Sequence, residues 1–210
     1  AVGGGGAGAR RSSLASNVIL TGGNGGEVVT KVVNVTAGNS YTITIGSGGT
    51  GGKYNPSSSS QTTTSTAGGD TSFGDLVTAA GGTVGTTSTY TSIPTDLDGV
   101  TCPWDLTSLS LNDKLFGAKG GGAYNSGTIS TNINPYNGGE TGGGNGRLNN
   151  GANVVAYSGT FYGAGGGSIT YSATSTTTIQ AGDGYQGGII LSYIQKKSEK
   201  IYRPHVGDFV

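Results

Sequence analysis

Residues 1–9 read AVGGGGAGA, and the same composition returns at 46–52 as GSGGTGG and at 163–167 as GAGGG. Glycine gains little from an ordinary core. It loses more conformational freedom on folding than other residues, roughly 0.5–1 kcal/mol more than Ala per position. A chain that concentrates it must recover that loss through contacts that only glycine permits. The available contact is main chain to main chain. A left-handed extended helix with three residues per turn has no internal hydrogen bonds, so its N–H and C=O groups point outward. With hydrogens for side chains, several such rods can lie close together and satisfy each other's backbone groups. Each glycine cluster, at about 3.1 Å per residue, would rise about 12–22 Å.

Working outward, further clusters fall at 22–26, 120–122 and 138–144, besides those at 3–8, 46–52 and 163–167. Polar stretches lie between them at 10–21, 53–66, 85–119, 124–137, 147–161 and 170–180. No strict Gly-X-Y period runs and only 5 Pro occur, which excludes collagen. The fold class expected is therefore mostly irregular and β, with stacked polyglycine-II helices and almost no α-helix.

Four strand regions are expected. Residues 27–35, EVVTKVVNV, place Val29, Lys31, Val33 and Val35 on one face; residues 41–45 alternate as well. Thr36-Ala37-Gly38-Asn39 between them reads as the turn of a hairpin. Residues 72–79 form a weaker region broken at Gly74-Asp75. Residues 189–194 are the most apolar run and read as a buried strand. The one helical candidate is 106–116, where Leu106, Leu109 and Leu115 have tolerable spacing.

Composition narrows the function classes. The 210 residues include 44 Gly, 11 positive and 11 negative side chains, one Cys, one His, one Trp and no Met. Zero net charge argues against nucleic-acid binding, which needs a basic face. One Cys excludes an internal disulfide framework and any multi-Cys metal site. No apolar run approaches the ~20 residues of a membrane-spanning helix, so no membrane insertion is expected. The missing Met is read as a processed or partial start.

The opening AVGGGGAGA, the stretch EVVTKVVNVTAGNSYTITIGSGGTGG, the segment GGDTSFGDLVTAAGG and the closing GDGYQGGIILSYI occur in that order. Together they resemble the glycine-rich domain at the tips of phage tail fibres, including the separate tip adhesins of T-even-like phages. The resemblance covers about 1–84 and 163–194. It implies a stack of polyglycine helices whose variable distal loops contact a receptor on the host surface, protein or glycan, with the chain placed in the virion, outside the cell. Members of that family usually carry a further strand before the AVGGGG segment, and the 195–210 tail is additional here. The domain division expected is 1–194 for the tip domain and 195–210 for a C-terminal tail.

Catalytic motifs fail on their context. Residues 46–51 match G-x-G-x-x-G after a strand, but KYNPSSSSQTTTSTAGG follows where a dinucleotide site needs a helix. Lys53 follows glycines as in a phosphate loop, but Tyr54 stands where Ser or Thr is required. Cys102 and His205 are too few for a zinc site or a nucleophile pair. Asp96, Asp98, Asp105 and Asp113 have the residue types for glycoside hydrolysis or calcium, yet they read better as turn caps in a Ser/Thr/Pro-rich loop. No enzyme activity, metal or cofactor is expected.

The candidate receptor-binding residues are the aromatics beside Gly or Asn: Tyr54, Tyr124, Tyr136, Tyr157, Phe161 and Tyr162, with Tyr90 and Trp104 from the 85–119 insertion. Tyr among Gly, Ser and Asn supplies contact area at low rotamer cost, as in antibody-type loops. The competing reading has some of these rings merely covering the ends of side-chain-less rods. Trp104 reads better as the anchor of a small cluster with its neighbouring leucines. Partners expected are a host surface protein or glycan, and the fibre shaft or neighbouring copies of the chain. The alternative function is a structural subunit of an extracellular or virion filament.

Overall fold

The computed structural model describes residues 1–10, 18–55, 60–61, 63–89, 123–125, 143–144, 146–149, 154–171 and 178–193. At its centre, residues 1–10 run as a straight rod whose backbone bonds repeat every third residue. The Val2, Gly5 and Gly8 N–H groups donate to the carbonyls of Gly188, Tyr185 and Gly182 at 2.8, 2.8 and 3.0 Å. Gly3, Gly6 and Ala9 donate to Glu27, Asn24 and Thr21; Gly4 and Ala7 donate to Gly69 and Thr66. In return, Gly4 and Ala7 accept from Gly82 and Gly85, Gly6 and Ala9 accept from Gly166 and Ile169, and Gly5 accepts from Gly49. A repeat of three, with bonds to six different segments and none internal, is the signature of the polyglycine-II rod.

The six neighbours close a ring in the order 46–52, 63–69, 80–86, 21–27, 163–169 and 181–188. Adjacent members bond antiparallel, again every third residue: Thr21, Asn24 and Glu27 donate to Thr86, Thr83 and Ala80. Ala181, Gly184 and Gly187 donate to Gly52, Gly49 and Gly46. Directions therefore alternate around the ring. The central rod donates to the three descending neighbours and accepts from the three ascending ones, except that the Val2 carbonyl accepts from Gly188 of a descending rod. Segments 143–149 and 154–159 add an outer layer, with Gly144 donating to Gly165, and Gly159 donating to Asp183.

Close approach, rather than unusual dihedrals, is what demands glycine here. Among the described glycines only Gly38, Gly74 and Gly163 have positive φ, and all three stand at turns outside or at the end of a rod. A Cβ on Gly6 would collide with the Thr83 carbonyl oxygen and stand 2.7 Å from that of Gly82. Where a backbone acceptor is out of reach, a side chain replaces it. Gly51, Gly81 and Ala80 donate to the carboxylates of Asp183, Asp70 and Glu27 at 2.6, 2.8 and 2.9 Å. Gly46 donates to the buried Thr71 hydroxyl. Gly52 donates to the Ser65 hydroxyl, which in turn donates to the Gly8 carbonyl.

No helix occurs among the described residues. The strands are short: β1 (Val18–Leu20), β2 (Ile43–Thr44), β3 (Lys53–Asn55), β4 (Ser60–Gln61), β5 (Thr71–Phe73), β6 (Val77–Ala79), β7 (Thr87–Thr89), β8 (Ala123–Asn125), β9 (Arg147–Asn149), β10 (Val154–Val155), β11 (Ile169–Tyr171) and β12 (Ile179–Gln180). They form sheets β7-β1-β8, β10-β12-β3-β4, β11-β9 and β2-β5-β6. Most lie at the end where the central rod finishes, called the far end below. There the rods lengthen into side-chain-bearing strands and bury small apolar clusters, Ala156, Ile169, Ile179 and Ala181 with Tyr54 against them, and Ala9 with Leu20.

The near end departs from the expected pairing. The turn at 36–39 forms, with Gly38 at φ 85° and Asn39 donating to the Thr36 carbonyl. Its arms do not pair as a hairpin. The Thr36 N–H donates instead to the Tyr41 hydroxyl at 3.0 Å. β2 pairs with β5, drawn by the Tyr41 and Phe73 rings at 5.2 Å. Within 27–35 only Val28 makes a bridge, to Val2, because this stretch continues a descending rod and so inherits the central rod as its neighbour. The 189–194 run is not a buried strand over its described part. Gly188 bridges to Val2, after which Ile190, Leu191 and Tyr193 are exposed, and Ile194 lies outside the described residues. The interrupted 72–79 region is confirmed as β5, a turn, and β6. The 106–116 candidate helix lies outside the described residues.

Candidate functional site

The rods give the molecule two ends with different contents. At the far end the chain leaves the described slab after Arg10, Asn55, Thr89, Asn125, Asn149 and Tyr171. The segments that depart there, 11–17, 56–59, 90–122, 126–142, 150–153 and 172–177, share no sequence pattern and lie outside the described residues. At the near end the connections 28–45, 70–79 and 160–162 are described throughout and tied back to the slab.

Tyr54 sits at the far end in β3, opposite Ile179 and Gln61. It is half-buried, and its ring covers the Ile169–Ile179 cluster. The Arg10 guanidinium carbon lies 5.8 Å from the ring centroid, while Arg10 Nε donates to the Thr63 carbonyl at 3.0 Å. These contacts tie Tyr54 to the end of the rods. Tyr124 stands in β8 opposite Ile19, so its backbone also belongs to the far end.

The other described candidates lie elsewhere. Tyr157 is 56% exposed on the outer layer, where its carbonyl accepts from Gly167. Phe161 and Tyr162 occupy the near-end turn, closed by the Ala164 N–H donating to the Phe161 carbonyl at 2.8 Å. Tyr162 packs edge-on against Tyr185 at 5.8 Å. The register separates this turn from Tyr54 by about seven residues of rod, roughly 20 Å. The described aromatics therefore do not converge on one patch. Tyr90, Trp104 and Tyr136 lie outside the described residues, as do Cys102, His205 and the four aspartates near residue 100.

The near end holds surface that composition and alternation did not single out. Val32 is 97% and Tyr193 85% exposed, and Val35, Ile43, Ile45, Ile190 and Leu191 are exposed around them. The signal was present as an alternating valine strand, but only the missing partner makes it a surface. Among the described residues no group of three or more His, Cys, Asp or Glu could hold a metal ion. Asp183, Asp70 and Glu27 each accept a slab N–H and so serve the scaffold.

A family model described as a glycine-rich domain matches residues 1–194. No curated protein and no solved structure matches the chain.

Proposed function

The chain belongs to the glycine-rich domain family, and on that footing we propose that it is a non-enzymatic adhesin, the receptor-binding tip of a phage tail fibre. The observation that carries this reading is the division of labour at the far end. On a stiff, cross-bonded slab, six connections of mutually unrelated sequence start from the rod ends at one face, and loops on a rigid scaffold are where recognition concentrates. The receptor in this reading is a protein or glycan of the bacterial surface, and the place of action is the virion tip.

Exchange of segments 126–142 and 150–153 for those of a relative tests it. The exchanged protein keeps the slab and shifts adsorption to the relative's hosts. Unchanged adsorption across a strain panel sinks the reading.

A second reading, a subunit of a virion or extracellular filament, is favoured by one specific observation. Val2 lies between Val28 and Gly188, bridged to both. The flanking stretches 30–35 and 189–193 carry the exposed apolar side chains of Val32, Val35, Ile190, Leu191 and Tyr193 and belong to no strand. Such edges invite an added strand from a shaft protein or another copy. Under the adhesin reading the same edges join the tip to its shaft. Mass determination in solution separates the two, since a stable monomer disfavours self-assembly.

A further inference from the structure

An open groove of about 510 Å³ lies at the near end between β2 and the β5–β6 turn. Its position is fixed by backbone bonds. Gly74, at φ 48°, donates to the Thr42 carbonyl at 2.7 Å, and Leu76 donates to Phe73 at 3.1 Å. Lys31 Nζ reaches across from the 28–35 stretch to the Leu76 carbonyl at 2.9 Å. The Tyr41 ring is braced by Phe73 at 5.2 Å. The walls are therefore set before any ligand arrives.

The lining is polar and underused. Asp75, Ser40, Thr42 and Ser72 line this space, and none of their side chains bonds to another described residue. Tyr41 and Leu76 supply the apolar part. Slab carboxylates such as Asp183 and Asp70 are engaged by backbone N–H groups, so the free Asp75 stands apart from them. A depression framed by fixed backbone bonds, with several polar groups beside one ring, has the parts needed to orient a small polar molecule.

We propose that this groove binds a neutral saccharide unit. A carboxylate accepts from two adjacent hydroxyls of a sugar ring, side-chain hydroxyls both give and accept, and a Tyr–Leu surface matches the ring's C–H face. The site lies at the opposite end of the slab from the rod ends where the proposed receptor segments begin, and it does not rest on the adhesin reading.

Titration with the methyl glycosides of glucose, galactose, mannose and N-acetylglucosamine, followed by backbone amide NMR shifts, tests it. At least one should bind at millimolar concentration and move the amides of 40–42 and 72–76 only. Asp75→Asn, at an exposed position, should keep the fold and weaken that sugar about tenfold or more, the size of one charged hydrogen bond. No shifts with any of the four, shifts confined to the far end, or equal binding by Asp75→Asn would overturn the proposal. So would binding of ethanolamine with no sugar bound, which would make the carboxylate a cation site. Adsorption of the segment-exchanged protein reads the far end alone, so the two ideas fail separately.

Discussion

Placing one methyl group inside the slab tests the physical basis of the fold. In Gly6→Ala the new Cβ collides with the Thr83 carbonyl and stands 2.7 Å from that of Gly82. Both obstacles are backbone, so no rotamer can relieve them. The 80–86 rod must retreat by roughly 1 Å to reach ordinary carbon–oxygen contact. That retreat carries the Gly82–Gly4 and Gly85–Ala7 bonds, 2.7 and 2.9 Å in the structure, to or beyond their useful limit. Two net hydrogen bonds at about 1 kcal/mol each, with overpacking of about 1–3 kcal/mol, give about 3–5 kcal/mol. Alanine's narrower unfolded ensemble returns about 0.4–1 kcal/mol, leaving about 2–4.5 kcal/mol. For a domain of this size that lowers Tm by about 4–18 °C. Gly69→Ala is the control, because its Cβ would come no closer than 3.2 Å to the Ser47 nitrogen. It should change stability by less than about 1 kcal/mol. Thermal unfolding of the three proteins by circular dichroism decides. If glycine served only backbone freedom, both alanines would be tolerated, since neither position has positive φ. Equal Tm values for the two variants would refute the close-packed-rod argument.

Further outcomes follow from other parts of the molecule. Leu20→Ala removes a fully buried side chain packed on Ala9 and should cost about 2–5 kcal/mol in chemical denaturation. Gly163→Ala forces a side chain into φ 73° at the near-end turn and should cost about 1–2 kcal/mol, read as a lower denaturant midpoint. In hydrogen exchange the Gly5 and Gly6 amides, bonded inside the ring, should be among the slowest, and those of 32–35 among the fastest; the reverse order would contradict the assigned packing. Val32→Lys should leave the unfolding free energy within about 0.5 kcal/mol of the parent, since the side chain touches solvent, while abolishing any self-association seen by light scattering.

Several features of the near end were beyond reach of local pattern. The alternation of 27–35 and 41–45 and the 36–39 turn suit a hairpin, and nothing within those nineteen residues argues otherwise. Their actual neighbours are Val2 and β5, which lie far away along the chain. The same holds for the candidate aromatics. Tyr54 beside Lys53 and Asn55 has the composition of a recognition loop, yet the Ile169–Ile179 cluster and Arg10 claim its ring. The groove at Tyr41 and Asp75 joins two segments thirty residues apart, and no local signal marks it.

Sequence alone determined that this protein is built from glycine rods. Glycine's missing side chain is a property of each position, and its clustering leaves main-chain bonding as the one large source of cohesion. It determined also that unrelated polar segments separate the rods. Tertiary structure decided which rods are neighbours, that their directions alternate about 1–10, and which aromatics share an end. The reason is that every rod offers the same repeating row of N–H and C=O groups. Identical edges carry no address, so the order of the ring is set by the turns, caps and apolar clusters at the rod ends.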